Sequence, residues 1–300
     1  MLPTLFVINP HSGKRDIRKI VPLIRKHFFA ANIPVEIYVT TGPGDARRAA
    51  ADGSSSHSAV VAVGGDGTVN EIVNGIIGTE CALGLLPIGS GNDFSKAAKY
   101  PHGLEQCLEI LCKQNAKSID VGMITGIDNV GRRTQSYFVN ACGIGLDAVV
   151  ANEAGKIPWI RGVMKYTIAA SRVLFRFRPA FSVVTCEEFV SEGKHLLISI
   201  GNGQCSGGGF YLTPDALLDD GLFDVCIAKD LSTAEVLKIL PFVFAGRHGR
   251  FRQVSIRKTR NVTVKAESDL VVHVDGEVLG RELRDISVEL LRGAMRIIIP

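Results

Sequence analysis

Residues 60–71 read Val-Val-Ala-Val-Gly-Gly-Asp-Gly-Thr-Val-Asn-Glu, and this stretch decides the fold of the chain around it. Four consecutive apolar residues, three of them β-branched, predict a buried strand, and the glycines after them predict a tight turn. Thr68 and Glu71 have the spacing of a capping box, so we expect a helix to begin at Thr68 and to end near Gly78. The predicted order is strand, glycine turn and helix N-terminus.

This order is suited to binding an anion. Amide groups at a helix N-terminus are unpaired, and glycine lets a phosphate approach the backbone closely. The alternative is a tight turn that needs glycine only for its dihedral angles. Asp66 favours the phosphate site, because a carboxylate among phosphate-facing amides would repel the ligand unless a cation such as Mg²⁺ lies between them.

The same pattern recurs on both sides of the central stretch. Strands are predicted over residues 4–8, 35–39 and 83–87, and each is followed by a turn with glycine, proline or asparagine. Strands that alternate with helices indicate a parallel, doubly wound sheet, in which ligands bind beyond the carboxyl ends of the strands. We therefore expect the turns after these strands to form one binding region.

The turn at residues 9–14, Asn-Pro-His-Ser-Gly-Lys, leads into a helix with apolar residues at helical spacing from Ile17 to Phe28. It is not a Walker A loop, because Ile8 and Arg15 stand where that pattern needs glycine and a hydroxyl residue. Two interpretations remain: a simple helix entry, or a second set of amides that shares a nucleotide with the central turn through Lys14.

The pattern changes near residues 120–125, where a domain boundary is predicted. Strands then follow one another with few helices between them, which indicates an antiparallel sandwich or barrel. The predicted strands cover residues 137–142, 181–186, 196–201, 222–228, 262–265, 270–274 and 286–291. Helical stretches are predicted near 159–176 and 232–246.

Composition limits the class of protein. The 300 residues are 46% apolar, enough for roughly two domains, and a net charge of +4 does not by itself indicate nucleic-acid binding. We expect neither a transmembrane helix nor a signal peptide, because no uncharged apolar run has the required length. Seven cysteines without a Cys-x-x-Cys pair predict buried free thiols in a reducing cytoplasm and no transition-metal cluster.

Three further segments each allow two interpretations. Residues 156–178 combine apolar and basic side chains, which fits either a helix on an anionic membrane or a core-packed helix with a solvated basic face. The acidic stretch 215–222 is either a solvated turn or a site for a hard cation. Asp275-Gly276-Glu277 is similarly either a cation site or a hairpin turn, and the turn is favoured because Asp-Gly lies between apolar runs.

Together these motifs resemble the diacylglycerol kinase catalytic family, in particular soluble bacterial lipid kinases related to sphingosine and ceramide kinases. The resemblance covers essentially the whole chain. It rests on six short motifs in register: residues 9–14, Thr40 with Gly44-Asp45, 64–70, 89–94, 215–222 and 275–277. Ser90 stands where many relatives carry threonine, a change that keeps the hydroxyl.

The resemblance implies roles for individual residues. Asp66 and Asp93 would organise Mg²⁺ and the reacting groups, and Glu277 matches the proposed general base. A second, structural Mg²⁺ would be held by Leu217, Asp220 and Leu222, partly through main-chain carbonyls. The ATP site would be lined by Asn9, Pro10, His11, Ser12, Gly13, Lys14, Thr40, Gly64, Gly65, Asp66, Gly67, Thr68, Val69, Asn70 and Ser90.

The resemblance also implies the architecture and the activity. An α/β nucleotide domain like that of phosphofructokinases and NAD kinases is expected over residues 1–122, with 294–300 returning to it, and a β-sandwich lipid-substrate domain over 123–293. The expected reaction is ATP-dependent phosphorylation of a membrane lipid, with diacylglycerol giving phosphatidic acid. Alternatives are another acceptor (a sphingoid base or ceramide, phosphatidylglycerol or NAD) and a non-catalytic nucleotide or lipid sensor.

The expected location is the cytoplasm, with reversible contact at the inner membrane surface where the lipid substrate lies. No nucleic-acid partner is expected. The sequence leaves open whether the chain acts alone or as a homodimer.

Overall fold

The computed structural model describes residues 2–13, 16–157 and 162–300. The chain divides into two compact units: unit 1 contains Met1–Asp120 and Arg292–Pro300, and unit 2 contains Val121–Leu291. These limits lie within two residues of the predicted domain boundaries. The assignment of ATP to one unit and of lipid to the other stays a prediction at this point.

Unit 1 alternates strands and helices. Its apolar runs form strands, and its amphipathic stretches form helices that bury one face. The elements are β1 (Thr4–Ile8), α1 (Ile17–Ala30), β2 (Val35–Val39), α2 (Asp45–Gly53), β3 (Ala59–Gly64), α3 (Asp66–Ile76), β4 (Ala82–Pro87), α4 (Asp93–Ala97) and α5 (Leu104–Lys113).

The strands of unit 1 pair in parallel in the order β2-β1-β3-β4. Across the sheet, the connection from β1 to β2 runs towards one edge, and the connection from β3 to β4 runs towards the other edge. Because such crossovers are right-handed, α1 and α3 cover opposite faces of the sheet. The strand order therefore reverses between β1 and β3, at the point where ligands bind in doubly wound sheets.

The predicted capping box at Thr68 and Glu71 is wrong. Helix α3 begins at Asp66, two residues earlier, with Gly65 as its N-cap. The Thr68 hydroxyl accepts a hydrogen bond from the side chain of Asn9 (3.2 Å), so it does not cap the helix. The Glu71 carboxylate accepts hydrogen bonds from the first backbone N–H groups of α2, including that of Gly44 (2.9 Å). Glu71 therefore caps the neighbouring helix.

Unit 2 is mainly antiparallel. The elements that follow α5 are β5 (Ala116–Asp128), β6 (Arg133–Phe138), β7 (Ala141–Gly145), α6 (Leu146–Gly155), α7 (Gly162–Leu174), β8 (Phe181–Cys186), β9 (Phe189–Gly201), β10 (Phe223–Lys229), α8 (Thr233–Phe244), a 3₁₀ turn (His248–Arg250), β11 (Val254–Thr259), β12 (Asn261–Val274) and β13 (Glu277–Ile298). Strand β5 begins in unit 1, and β13 ends there, pairing in parallel with β4.

Long strands organise unit 2. Strand β9 pairs with β8 through its first half and with β7 through its second, and β12 pairs with the same two strands. These pairings join β7, β8, β9 and β12 into a closed ring, and apolar side chains of unit 2 pack together as its core. The buried core includes Phe138, Ile144, Ile200, Phe223 and Val272. The predicted α/β unit with a second antiparallel β unit is confirmed.

The strand predicted over residues 137–142 is divided in the structure. Strand β6 ends at Phe138 and β7 begins at Ala141, because the intervening N–H groups of Val139 and Asn140 donate to the Asp275 carboxylate (3.2 and 3.0 Å). The separate strands predicted over 262–265 and 270–274 form one strand, β12, with register shifts between them. Helix α6 and strands β5 and β11 were not predicted.

The seven cysteines are free, and all but the half-buried Cys112 are buried. Burial raises the pKa of the Cys81 thiol to about 11 and that of Cys226 to about 12, so these thiols stay protonated at neutral pH. Within the described ranges, no helix has the length and apolar character needed to cross a membrane.

Candidate functional site

The turns after β3 and β4 lie against each other. The Gly64 carbonyl accepts hydrogen bonds from the backbone N–H groups of Ile88 (3.0 Å) and Gly89 (3.1 Å). A Cβ at Gly65 would lie 3.2 Å from the Cα of Gly89, and a Cβ at Gly89 would overlap the Gly65 backbone. Both turns therefore need glycine for this approach, which leaves bare backbone at the carboxyl edge of the sheet.

The loop after β1 reaches the same place. The Asn9 N–H donates to the Val63 carbonyl (3.0 Å), and its side-chain amide donates to the Thr68 hydroxyl. Gly13 lies against the turn after β4, since a Cβ at Gly13 would overlap the carbonyl oxygen of Ile88. The loops after β1, β3 and β4 meet where the strand order reverses. We name this group of three loops the glycine cradle.

The remaining predicted nucleotide residues occupy several positions. The loop after β1 carries Pro10, His11 and Ser12. Helix α3 carries Gly67, Thr68, Val69 and Asn70, and all of these except Gly67 are buried. Thr40 is buried after β2, where its N–H and hydroxyl both donate to the Ile8 carbonyl (2.9 and 3.3 Å). Ser90 is exposed in the turn after β4. Lys14 lies outside the described residues.

Two carboxylates flank the glycine cradle. Asp66 Oδ1 accepts a hydrogen bond from the Phe94 N–H (3.1 Å), and Asp93 Oδ1 accepts one from Lys96 Nζ (2.9 Å). The second oxygens of both carboxylates face the same glycine, because a Cβ at Gly91 would lie 3.0 Å from Asp66 Oδ2 and 3.7 Å from Asp93 Oδ2. The structure thus brings together the two acids that the sequence predicted.

Asn92 and Lys96 complete this part of the site, and sequence reasoning assigned no role to either. The Asn92 amide donates to the Gly89 carbonyl (3.0 Å), and its Oδ1 is buried without a hydrogen-bond partner among the described residues. The signal for Lys96 was its position three residues after Asp93 in one helix. A pocket of about 180 Å³ adjoins them, lined by Gly89, Asn92, Ser95, Lys96, Tyr100 and His102.

In unit 2, the Asp-Gly-Glu motif forms a hairpin turn between β12 and β13. Val274 pairs with Glu277, and the two residues between them have positive φ, 49° at Asp275 and 89° at Gly276. Two residues of this conformation define a tight turn whose twist matches that of the strands. Glu277 is exposed at the first position of β13. The structure therefore presents the predicted base on a rigid turn.

The Asp275 carboxylate anchors this turn. It is buried and accepts hydrogen bonds from the backbone N–H groups of Val139, Asn140 and Ala141 (3.2, 3.0 and 3.0 Å). The Asp275 N–H donates in turn to the Ala141 carbonyl (2.8 Å). Hydrogen bonds to a carboxylate are stronger than those between neutral groups, so Asp275 fixes the turn to the β6–β7 connection. The sequence alone indicated a turn here and did not indicate this anchor.

An apolar cavity of about 220 Å³ lies in unit 2 between the helices α6, α7 and α8 and the strands β9 and β10. Its walls expose mainly apolar surface and include Leu146, Val150, Leu174, Leu197, Leu240 and Val243. Such a cavity fits hydrocarbon, since apolar ligand sites are concave and carry only a few polar groups. The sequence did not predict this cavity, because its walls come from segments up to about a hundred residues apart in the chain.

The few polar groups of the cavity include Asp147, Tyr166 and His248. Tyr166 approaches the hairpin turn, since its hydroxyl would lie 3.7 Å from a Cβ at Gly276. His248 Nε2 lies 3.1 Å from the Leu212 carbonyl, and burial lowers the pKa of His248, so the ring is neutral at pH 7. The cavity thus has a polar group beside the turn that carries Glu277.

The acidic stretch predicted to hold a structural metal contains an ion pair. Asp220 Oδ1 accepts from the Leu222 N–H (3.1 Å), and its Oδ2 accepts from Lys258 Nζ (3.0 Å). Lys258 also donates to the buried Asp224 (2.8 Å), which it faces across the β10–β11 pair. Leu217 is exposed. Over residues 2–13, 16–157 and 162–300, no cluster of three His, Cys, Asp or Glu residues could hold a metal ion.

The basic stretch forms helix α7 and the segment after it. Met164 and Phe175 are more than 60% exposed, and Arg176 and Arg178 are exposed next to Phe175, whereas Ala169 is buried. The helix is thus packed on one side, where it lines the cavity, and exposed on the other, and its contact with a membrane stays a prediction. Residues 158–161 and the side chains of 163 and 165 lie outside the described part of the chain.

Comparison with known proteins agrees with this architecture. Residues 3–124 match the model of the diacylglycerol kinase catalytic domain, and residues 140–299 match that of the YegS C-terminal NAD kinase β-sandwich-like domain. A solved chain from Bacillus anthracis has a TM-score of 0.81 at 24% identity, covering 99% of this chain and 97% of that chain, which shows the fold.

Curated relatives match over most of the chain. A diacylglycerol kinase from Staphylococcus saprophyticus is 29% identical over 92% of this chain and 88% of its own length. One from Bacillus subtilis is 27% identical over 91% and 89%. These matches define the class of protein as a two-unit phosphotransferase with an α/β catalytic domain and a β-sandwich. The chain belongs to the diacylglycerol kinase family, and it is a lipid kinase.

Proposed function

We propose that the protein transfers the γ-phosphate of ATP to the hydroxyl group of a membrane lipid, with diacylglycerol as the acceptor and phosphatidic acid as the product. The observation that carries the proposal is the apolar cavity of unit 2, whose polar residue Tyr166 adjoins the turn that bears Glu277. Acyl chains bind in the cavity, and the lipid hydroxyl lies at its polar end.

The glycine cradle of unit 1 binds the phosphates of ATP. Three features support this role: bare backbone at Gly65 and Gly89, the first turn of α3, and the position of the cradle where the strand order reverses. The residues also fit a magnesium ion, because Asp66 Oδ2, Asp93 Oδ2 and the unpaired Asn92 Oδ1 are the hard oxygen ligands it prefers. Bound Mg²⁺ would neutralise charge on the transferring phosphoryl group.

Glu277 takes the proton from the lipid hydroxyl as this oxygen attacks phosphorus. An alcohol has a pKa far above neutral, so a carboxylate that accepts its proton during attack lowers the barrier. The hairpin holds Glu277 in place because Asp275 binds three backbone N–H groups. A positioned base of this kind contributes about 10²- to 10⁴-fold to the rate.

Incubation of the protein with ATP, Mg²⁺ and a total lipid extract, followed by mass analysis of the new phospholipid, tests the acceptor. We expect phosphatidic acid. A phosphorylated sphingoid base, ceramide or phosphatidylglycerol would correct the acceptor, and phosphorylation of NAD alone would overturn the lipid proposal. ATP binding with no labelled product would favour the sensor.

The Glu277→Gln variant tests the base. We expect kcat to fall at least about 100-fold with little change in ATP affinity, because the amide keeps the shape of the side chain and cannot accept the proton. Glu282→Gln, an exposed position on the same strand, is the matched control and should keep wild-type turnover. Full activity of Glu277→Gln would remove Glu277 from the mechanism.

The lipid acceptor requires that the protein meets a membrane reversibly, at the cytoplasmic surface. The proposal is supported by helices α7 and α8, which line the cavity and expose the apolar residues Met164 and Leu237, and by Phe175, which is exposed directly after α7. Arg176 and Arg178 supply positive charge close to Phe175. Exposed apolar and basic side chains together are typical of contact with anionic lipid.

A further inference from the structure

His273 lies two residues before the anchored turn and is 1% exposed. Its Nδ1 accepts a hydrogen bond from the Gly276 N–H (3.2 Å), which is the amide inside the turn. Gly276 has a φ of 89° and directly precedes Glu277. The imidazole therefore fixes the backbone N–H of Gly276, the residue before Glu277, and so restricts the direction of the Glu277 side chain.

The other ring nitrogen faces an acid. His273 Nε2 lies 3.2 Å from Oδ2 of Asp147, in the first turn of α6, and Asp147 also lines the apolar cavity. Both atoms are buried, and their alignment is not that of a hydrogen bond. Gly143 lies opposite His273 in the β7–β12 register, and a Cβ at Gly143 would overlap both atoms. Glycine at this position thus makes room for the pair.

The hydrogen bond from Gly276 decides the tautomer of the ring. Since Nδ1 accepts this bond, it carries no proton, and the ring proton is on Nε2, next to the carboxylate. The pair resembles the acid–histidine pair of a general base. However, the lone pair that would take a substrate proton is already engaged by the Gly276 amide. His273 is thereby excluded as the base.

We propose that His273 is a positioning residue, which links Asp147 in the cavity wall to the turn and fixes the direction of Glu277. The inference rests on the proposed role of Glu277 as the base. Small displacements of a catalytic group cost up to about 100-fold in rate, so a residue that fixes the turn affects kcat without touching the substrate.

Two conservative variants separate the roles of the ring nitrogens. In His273→Asn the amide oxygen can replace Nδ1 as the acceptor for Gly276, whereas in His273→Gln the longer side chain reaches the position of Nε2 and leaves Gly276 unpaired. We expect His273→Asn to keep kcat within about threefold of wild type. We expect His273→Gln to lose about tenfold or more in kcat, with KM values for ATP and lipid within about twofold.

Amide hydrogen exchange at Gly276 gives a readout that does not depend on activity. We expect exchange to be faster in His273→Gln and unchanged in His273→Asn, with equal melting temperatures for the two variants. Equal kcat for the two variants, a loss confined to KM, or unchanged exchange in His273→Gln would each overturn the inference. A wild-type protein that phosphorylates no lipid but shows the expected exchange would overturn the proposed function, and only the structural part of the inference would stand.

Discussion

At the scale of single residues, Asp275 shows how one side chain serves two parts of the fold. Its carboxylate ends strand β6 by taking the N–H groups of Val139 and Asn140, and the same bonds hold the turn before Glu277. A sequence pattern detects the Asp-Gly turn, because the turn is local. It cannot detect the partners, which are more than 130 residues away in the chain.

The Asp275→Asn substitution tests this anchor. One carboxylate oxygen becomes an NH₂ group, which would face a backbone N–H donor and leave it unpaired. We expect the free energy of unfolding to fall by about 1–3 kcal/mol, the usual cost of an unsatisfied buried polar group. We also expect kcat to fall at least tenfold, because Glu277 loses its support.

Chemical denaturation and steady-state kinetics measure the two effects. Asp269→Asn, at a more exposed position on β12, is the control. Its free energy of unfolding and its kcat should both stay close to those of the wild-type protein. An Asp275→Asn protein with wild-type stability and turnover would contradict the role of the anchor.

At the scale of elements, the glycine cradle and the β10–β11 pair both bring carboxylates close together, but they differ in what neutralises the charge. In the cradle the turns after β3 and β4 approach each other through bare backbone beside Asp66 and Asp93. In the β10–β11 pair, Lys258 lies between Asp220 and Asp224 and satisfies both carboxylates. The first arrangement can receive a charged ligand, and the second supplies its own cation.

Gly89→Ala tests the cradle. The added Cβ would lie 2.7 Å from Asn92 Oδ1 and overlap the Gly65 backbone, so the two turns must separate. We expect KM for ATP to rise at least about tenfold, because the amide groups move out of register with the phosphates. Gly42→Ala is the control, since nothing lies within 4 Å of a Cβ there. Equal KM values for the two variants would argue against a nucleotide site in the cradle.

Lys258→Met tests whether a lysine fills the place predicted for a structural metal. Asp224 is buried, and burial raises the pKa of its carboxyl, so it depends on the ammonium for its charge partner. We expect the variant to lose about 1–3 kcal/mol of stability and its melting temperature to rise when Mg²⁺ is added. Lys229→Met, exposed at the end of β10, is the control.

If a metal were instead bound by Leu217, Asp220 and Leu222, as the sequence predicted, Mg²⁺ would stabilise the wild-type protein at this turn. If Mg²⁺ or its removal by a chelator shifted the wild-type melting temperature by several degrees with ATP absent, and Asp220→Asn removed this shift, a metal would bind at this turn. A wild-type protein insensitive to Mg²⁺ under these conditions would agree with the internal ammonium.

At the scale of the whole molecule, each unit carries one part of the proposed chemistry. Unit 1 has the glycine cradle with its two acids, and unit 2 has the apolar cavity, the turn and Glu277. The helices that line the cavity also expose apolar and basic side chains, so the lipid site and the proposed membrane contact belong to the same elements.

Vesicle sedimentation tests the membrane contact. We expect the protein to bind vesicles that contain anionic phospholipid more tightly than neutral ones, and we expect this difference to shrink at high salt. Arg176→Gln with Arg178→Gln should weaken binding by about 2 kcal/mol, at about 1 kcal/mol per basic residue. The control removes two exposed charges from α1, Arg25→Gln with Lys26→Gln. Equal binding by the two double variants would place the contact elsewhere.

The sequence determined the local features of this protein. The strands β1, β2 and β8 have the predicted limits, because each is a short run rich in β-branched and aromatic residues between turns. The change from alternating elements to successive strands near residue 120 located the division into two units. The glycine turns and Asp66, Asp93 and Glu277 were evident from short motifs, since turn geometry and phosphate binding constrain adjacent residues.

Only the tertiary structure decided the long-range features. Glu71 caps α2, Asp275 holds the β6–β7 connection, and Lys258 neutralises Asp224. The pairing of His273 with Asp147 over Gly143, and the apolar cavity, likewise join distant segments. A hydrogen-bond donor or a cavity wall is selected by distance in space, and nothing in the periodicity of one segment specifies which remote segment will supply it.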